Sequence, residues 1–286
     1  MKHVLVTGST GQLGHDVIKA LKEKHYQPIA PSRHQMDLTN NDAIRTFLMR
    51  SKPDAIIHCG AYTAVDQAEI EHDICYQINA TATKILATYA KAQQIPFVYI
   101  STDYVFDGTK EGAYVETDVP NPINIYGATK LKGEQHVSQL LTQYFIVRIS
   151  WVFGLNGHNF IKSMLRLSET HDELSIVADQ VGAPTATADL APLLVNMLES
   201  DKYGLYHVTN EGFCSWFDFA KEIFDQFDIE IKLNPISSAD FPTRAKRPMN
   251  SQMNQDHLIK AGFIPLPPWQ EALKNWRIAY EKLAKT

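Results

Sequence analysis

The stretch HVLVTGSTGQLG, residues 3–14, constrains this chain more than any other. An apolar run leads directly into three glycines, Gly8, Gly11 and Gly14, spaced three apart, and then into an amphipathic helical pattern. Glycines in that context let the backbone turn tightly and approach a pyrophosphate, whose charge falls on the free amides of a helix amino terminus. Strand before and helix after are what the motif requires. The chain therefore begins as a βαβ unit, and a parallel sheet follows from it.

The rest of the first half keeps that rhythm. QPIA, DAIIHC, PFVYIS and YFIVRIS read as strands, and helices are expected over about 12–24, 41–50, 73–93 and from near Asn124. Strands with so little alternation are buried on both faces. After Ser150 the rhythm loosens: helices over about 159–168, 188–200, 216–226 and 268–282 are separated by short strands such as LSIV and GLYHVT. The predicted fold class is α/β, a Rossmann-type doubly wound parallel sheet with a smaller α/β substrate-binding lobe. Residues 1–150 plus about 187–210 are assigned to the NAD(P)-binding part, and about 151–186 and 211–286 to the smaller lobe. A cleft between them is the expected ligand site.

A formal net charge of -5 argues against nucleic acid or an anionic membrane as the main partner. No apolar run approaches the ~20 residues that cross a bilayer, and the first residues enter a strand pattern at once, so a cytoplasmic protein is expected. Three scattered cysteines fit a reducing compartment and no disulfide framework, and no HExxH or tight acidic cluster suggests a metal.

Near the expected end of the second strand the chain reads APSRHQMDL, with Ser32 and Arg33 where enzymes that use NAD place an acid to hold the ribose hydroxyls. A hydroxyl and a guanidinium suit a 2′-phosphate instead. NADPH is the expected cofactor, with NADH also usable. Further on, NIYGATK places Tyr126 and Lys130 four apart at the start of a helix. Taken alone, the pair is a neighbouring aromatic and cation on one helix face. Downstream of a dinucleotide turn it has a use: ketone reduction needs an acid within reach of the carbonyl oxygen, and a neighbouring ammonium favours the phenolate.

TGSTGQLG, CGAYTAVDQAE, STDYVFDG and NIYGATK, in this order, resemble the extended branch of the short-chain dehydrogenase/reductases. The resemblance implies that Gln12 and Leu13 lie along the pyrophosphate, that Asp37 and Leu38 meet the adenine, and that Gly60, Ala61 and Thr63 pass near the nicotinamide ribose. It makes Thr102, Tyr126 and Lys130 the catalytic set, with Ser101 as a packing residue, and lets Lys130 also hold the ribose hydroxyls. Together with RISWVFG, NF, DQVGAPT and RPMNS, which carry the likeness over nearly the whole chain, these motifs are similar to those of the dTDP-4-dehydrorhamnose reductase family. That implies reduction of the 4-keto group of dTDP-4-dehydro-β-L-rhamnose to dTDP-L-rhamnose, for surface polysaccharide. Carried over by position, Thr102, Asp103, Trp151, Asn159, Gln180, Thr185, Arg247 and Asn250 would bind the substrate, and a homodimer is expected; some relatives hold a divalent metal at a dimer contact, but LGHDV and the carboxyl-terminal region carry no acidic cluster for one, so no catalytic metal is expected. His58 departs from the family, whose members often carry asparagine there. Two rivals share these motifs: a reductase or epimerase of another nucleotide sugar, and a regulatory subunit like the beta subunit of methionine adenosyltransferase, which acts by binding.

Overall fold

In the computed structural model, which describes residues 2–284, the first half runs β1 (His3–Thr7), α1 (Gln12–Glu23), β2 (Gln27–Ile29), α2 (Asn41–Ser51), β3 (Ala55–His58), α3 (Val65–Ala68), α4 (His72–Tyr76), α5 (Thr83–Gln93), β4 (Phe97–Thr102), α6 (Ile125–Leu140) and β5 (Tyr144–Ile149). Met1, Lys285 and Thr286, at the ends of the expected lobes, lie outside the described residues. The second half runs β6 (Val152–Phe153), α7 (Phe160–Ser168), β7 (Glu173–Val177), β8 (Val181–Gly182), β9 (Thr185–Ala186), α8 (Thr187–Leu198), β10 (Gly204–His207), β11 (Cys214–Ser215), α9 (Trp216–Gln226), β12 (Lys232–Ile236), α10 (Asp256–Lys260) and α11 (Trp269–Ala284).

Six strands form one sheet in the order β10-β5-β4-β3-β1-β2, every pair parallel. Pro28 is tolerated in β2 because that strand is the sheet's edge. Alternation along the strands divides their side chains between two cores. Val4, Val6, Ile57, Val98 and Val147 pack with Val17 and Leu21 of α1 and Leu194 of α8. Leu5, Ile56, Phe97 and Tyr99 point the other way, into Ile44 and Leu48 of α2, Leu86 of α5 and Val137 of α6. Burial on both faces explains why these strands are nearly continuous apolar runs.

Helix starts are set locally. Asn40 caps α2 by accepting the amides of Asp42 and Ala43, each at 3.0 Å. Asn124 caps α6 by accepting the Gly127 amide at 2.7 Å, and Ser215 and Asp218 form a capping box at the start of α9. The helix expected over 73–93 is not regular: α4 passes into α5 through a π-helical turn, Gln77–Ala82. That widened turn holds Asn79 so that its Oδ1 accepts the Tyr62 amide at 2.8 Å while its Nδ2 donates to Thr129 Oγ1 at 3.1 Å.

The second half has its own core, in which Phe153, Ile161, Met164, Ile176, Phe219, Ile223, Leu273 and Trp276 meet. Short strand pairs tie it together: β6 with β9, β7 with β12, and β8 with β11. Each strand of two residues is too short to show periodicity in the sequence. The chain also returns to the large sheet: Leu258 of α10, with Phe263 and Leu266, packs into the core that α1 and α8 share.

Candidate active site

The sheet's order reverses between β1 and β3, because the chain leaves β1 for β2 on one side and later returns to pair β3 on the other. A crevice outside the carboxyl ends of strands at such a point is where open α/β sheets take ligands. There a cavity of about 980 Å³ runs from the glycine turn to Tyr126, Lys130, Trp151 and Trp216.

Gly8 takes φ +64°, and a Cβ on Gly14 would overlap the Gly8 carbonyl, so the turn closes only with glycine at both positions. No side chain caps α1 and no acid stands in its first turn. Its first amides are free for an anion, which fits a dinucleotide pyrophosphate. Gly8, Gly11, Gln12, Leu13, Gly14, Arg33, Asp37, Leu38, Gly60, Ala61 and Thr63 all line the cavity. Ser32 does not; its amide donates to Gln35 Oε1 at 2.8 Å. Asp37 is partly engaged, since its Oδ1 accepts both the amide and the hydroxyl of Thr39, which hold its carboxyl below the usual range. Gln12 reaches across to the second half: its Oε1 accepts Gly154 N at 2.9 Å and Asn159 Nδ2 at 3.0 Å.

His58 lies beneath this turn, 1 % exposed. Thr7 Oγ1 accepts the Gly60 amide at 2.9 Å and meets His58 Nδ1 at 2.6 Å, while His58 Nε2 meets Thr83 Oγ1 at 3.0 Å. Thr83 in turn donates to the Asn79 carbonyl at 2.8 Å, so both ring nitrogens are satisfied by a neutral imidazole. Burial, and then the charge of Lys130, push its pKa down to about 3. In this chain histidine does structural work where asparagine was expected from the resemblance.

At the far end of the cavity α6 presents Tyr126 and, one turn on, Lys130. A Cβ on Gly127 would overlap the Tyr104 carbonyl, so glycine lets α6 approach the turn after β4. Tyr104 packs edge-on against Tyr126 with centroids 5.6 Å apart. Lys130, 2 % exposed, donates to the Ile100 carbonyl at 2.6 Å and lies over the Tyr99 ring. Burial lowers its pKa to about 7, against the pull of Glu134. Burial also raises the Tyr126 phenol well above its usual value, and the Thr102 hydroxyl only partly offsets that. Desolvation is the largest influence on the Tyr126 phenol and keeps it protonated, as an acid must be. Ser101 lines the cavity with a buried hydroxyl that has no partner, whereas the Thr102 hydroxyl donates to Asp103 Oδ1 at 2.9 Å.

The expected substrate residues divide. Thr102, Asp103 and Trp151 line the cavity; Asn159, Gln180, Thr185, Arg247 and Asn250 do not. Trp151 has φ +47°, uncommon for a bulky residue, and its ring stacks on Trp216 at 3.7 Å. Asn159 caps α7 and holds Gln12. Thr185 is fully buried in β9, and Gln180 stands half-buried before β8. Asn250 is spent on the backbone, donating to the Lys110 and Gly112 carbonyls at 2.7 Å each and accepting the Gln252 amide. Arg247 forms an ion pair with Asp66, Nη2 to Oδ2 2.7 Å. The cavity also takes residues that sequence reasoning missed, among them Tyr62, Glu71, His158 and Trp216. Tyr62 lies between Ala61 and Thr63 in a motif the sequence already marked, whereas no local signal marks Glu71, His158 or Trp216. Among the described residues, no group of three or more His, Cys, Asp or Glu side chains is placed to hold a metal ion.

Glycine turn, switch-point crevice and, at its end, a half-buried tyrosine one helical turn from a buried lysine define a Rossmann-type reductase of the short-chain dehydrogenase/reductase class. The family model of the RmlD substrate binding domain matches residues 1–281. A dTDP-4-dehydrorhamnose reductase of Aggregatibacter actinomycetemcomitans is 41% identical over 97% of this chain and 99% of its own length. One of Sinorhizobium fredii is 37% identical, over 96% and 97%. The crystal structure of dTDP-4-dehydrorhamnose reductase from Bacillus anthracis in complex with NADP superposes with a TM-score of 0.94 at 42% identity, covering 97% of this chain and 99% of that one. The chain belongs to the dTDP-4-dehydrorhamnose reductase family.

Proposed function

We propose that this protein reduces the 4-keto group of dTDP-4-dehydro-β-L-rhamnose to give dTDP-L-rhamnose, the last step in making that sugar nucleotide for surface polysaccharide. The observation that carries the reading is one continuous cavity with a glycine turn at one end and the half-buried Tyr126, whose phenol desolvation keeps from ionising, at the other. NADPH, when bound, supplies the hydride, and NADH serves less well. The free amides of α1 take the pyrophosphate, Arg33 takes the 2′-phosphate, Asp37 and Leu38 bound the adenine, and Gly60, Ala61 and Thr63 border the ribose.

Tyr126 then gives its proton to the ketone oxygen, the step for which a raised pKa keeps it loaded. Lys130 holds the ribose hydroxyls and, when charged, steadies the phenolate left behind. Thr102 orients the carbonyl. Trp151, braced on Trp216, forms the wall against which the sugar packs. Arg247 serves the diphosphate after leaving Asp66. The residues around the second core act as the substrate lobe, and those on the large sheet as the cofactor lobe.

A homodimer working in the cytoplasm belongs to the same proposal. Among the described residues no helix is long and apolar enough to cross a membrane, and light scattering on the purified chain reads the oligomer. To test the function, NADPH oxidation is followed with dTDP-, UDP- and GDP-linked 4-keto sugars, the rhamnose precursor being made by coupling to the epimerase that forms it. Turnover confined to a sugar carried by another nucleotide would overturn the assignment.

A further inference from the structure

One buried carboxylate joins the RPMNS segment to the hydroxyl beside Tyr126. Asp103 is 3 % exposed and follows Thr102 at the end of β4. Its Oδ1 accepts the Thr102 hydroxyl at 2.9 Å, and its Oδ2 accepts the Ser251 hydroxyl at 2.6 Å. Ser251 is equally buried and is pinned by its own amide, which donates to the Val181 carbonyl at 2.7 Å. An ionised carboxylate can only accept hydrogen bonds. While Asp103 is charged, the Thr102 proton is therefore committed to it. The Thr102 oxygen then has lone pairs alone to offer, and one of them already takes the Tyr104 amide at 3.2 Å.

The inference rests on reading the cavity as a ketone-reducing site. We propose that Asp103, seated by Ser251, is a positioning residue that sets whether the Thr102 hydroxyl points away from the ketone or donates to it. With Asp103 ionised, Thr102 faces the substrate only as an acceptor. With a solvent proton on Asp103, that carboxyl no longer demands the Thr102 proton, and the hydroxyl rotates to stabilise negative charge growing on the ketone oxygen. Asp103 keeps its proton through turnover.

The surroundings make this change accessible near neutral pH. Burial raises the Asp103 carboxyl to about 6, while hydrogen bonds from Ser251, Thr102 and the amides of Asp103 and Tyr104 pull it down. The titratable groups facing it are the Tyr104 and Tyr126 phenols, both kept neutral by burial. Arg247 is turned to Asp66 and Tyr104. Lys130 lies behind Tyr126 on the Ile100 carbonyl.

The test pairs a carboxyl carbon NMR titration with the pH dependence of kcat for reduction, in the wild-type chain, Ser251→Ala and the isosteric Asp103→Asn. The Asp103 signal is assigned by its absence in Asp103→Asn. In the wild-type protein kcat should fall as pH rises through the Asp103 transition. Ser251→Ala removes a bond that favours the ionised form, so signal and kcat limb should both move up by about one pH unit. Asp103→Asn, whose amide carries no charge at any pH, should abolish the limb and leave kcat independent of pH across the window in which the wild type falls. A wild-type kcat that stays flat through the NMR transition overturns the inference while leaving the proposed function intact. So does a limb that does not follow the NMR transition in Ser251→Ala. If the wild-type chain turns over no dTDP-4-dehydrorhamnose, the proposed function fails and this inference falls with it.

Discussion

Asp66 and Arg247 meet in a two-pronged ion pair, Nη2 to Oδ2 at 2.7 Å and Nη1 to Oδ1 at 3.3 Å, although 181 residues separate them. Asp66 sits on α3, just past the turn that borders the cavity, and also accepts the Ala245 amide at 2.9 Å. It therefore clamps the RPMNS segment to the large lobe. A guanidinium held to present its fork to one carboxylate is preorganised to take two oxygens of a phosphate in the same way. Arg247→Ala should raise the KM for the dTDP sugar about tenfold with a smaller effect on kcat, the size expected for losing one charge-assisted contact. Asp66→Ala should not raise it. Steady-state kinetics on both variants decide the matter: equal rises in KM would mean that Arg247 only pins its loop.

Glu134 and Arg148 form a second pair, with both partners almost fully buried and N–O distances of 2.9 and 2.7 Å. Glu134 lies one turn beyond Lys130 on α6, and Arg148 also stands over Phe106. Removing one partner strands the other charge without water, at a cost of about 3–5 kcal/mol. Glu134→Gln should lower stability by that order in urea unfolding, with Lys130 less readily charged as a second effect. A loss below about 1 kcal/mol would place the pair with ordinary surface bridges.

Acid should unfold this chain earlier than its carboxylates alone would. Burial holds both His58 and His207 neutral, with pKa values near 3. In the unfolded chain each titrates at about 6.5, so between the two values the unfolded state binds more protons. The stability contributed by neutral burial is present above about 6.5 and is lost as pH falls towards about 3. Thermal unfolding midpoints should drop over that window, and His58→Asn should flatten the slope. The same slope in wild-type and variant chains would contradict a buried neutral His58.

Arg33 is exposed at the cavity's rim, where the proposed function puts the 2′-phosphate of NADPH. Arg33→Ala should weaken NADPH about tenfold and NADH little, because only NADPH carries the phosphate that a guanidinium grips. Fluorescence titration of both cofactors checks it. Equal losses would remove the arginine from the phosphate site.

What could be read from the sequence was what is local. The glycine turn announced itself because strand, turn and helix are contiguous, and Tyr126 with Lys130 because helical spacing puts them on one face. The strands of the large sheet were legible as apolar runs since both faces are covered. The π-helical turn was not, because the interactions that Asn79 makes with Tyr62 and Thr129 come from elsewhere in the chain. Trp216 behind Trp151, and Asp66 opposite Arg247, are likewise products of packing. Asn250 and Thr185 show the converse: motif position suggested ligand contacts, but their side chains lie outside the cavity, one holding backbone and the other fully buried.

The most direct test of the account is single-turnover reduction of dTDP-4-dehydrorhamnose by NADPH-loaded wild-type and Tyr126→Phe protein, with binding of the sugar nucleotide measured alongside. The account predicts that Tyr126→Phe binds the substrate within about twofold of the wild type and reduces it at least a hundredfold more slowly, roughly the share general acid catalysis supplies. Reduction at the wild-type rate in that variant would mean that the proton comes from elsewhere and that Tyr126 is not the acid.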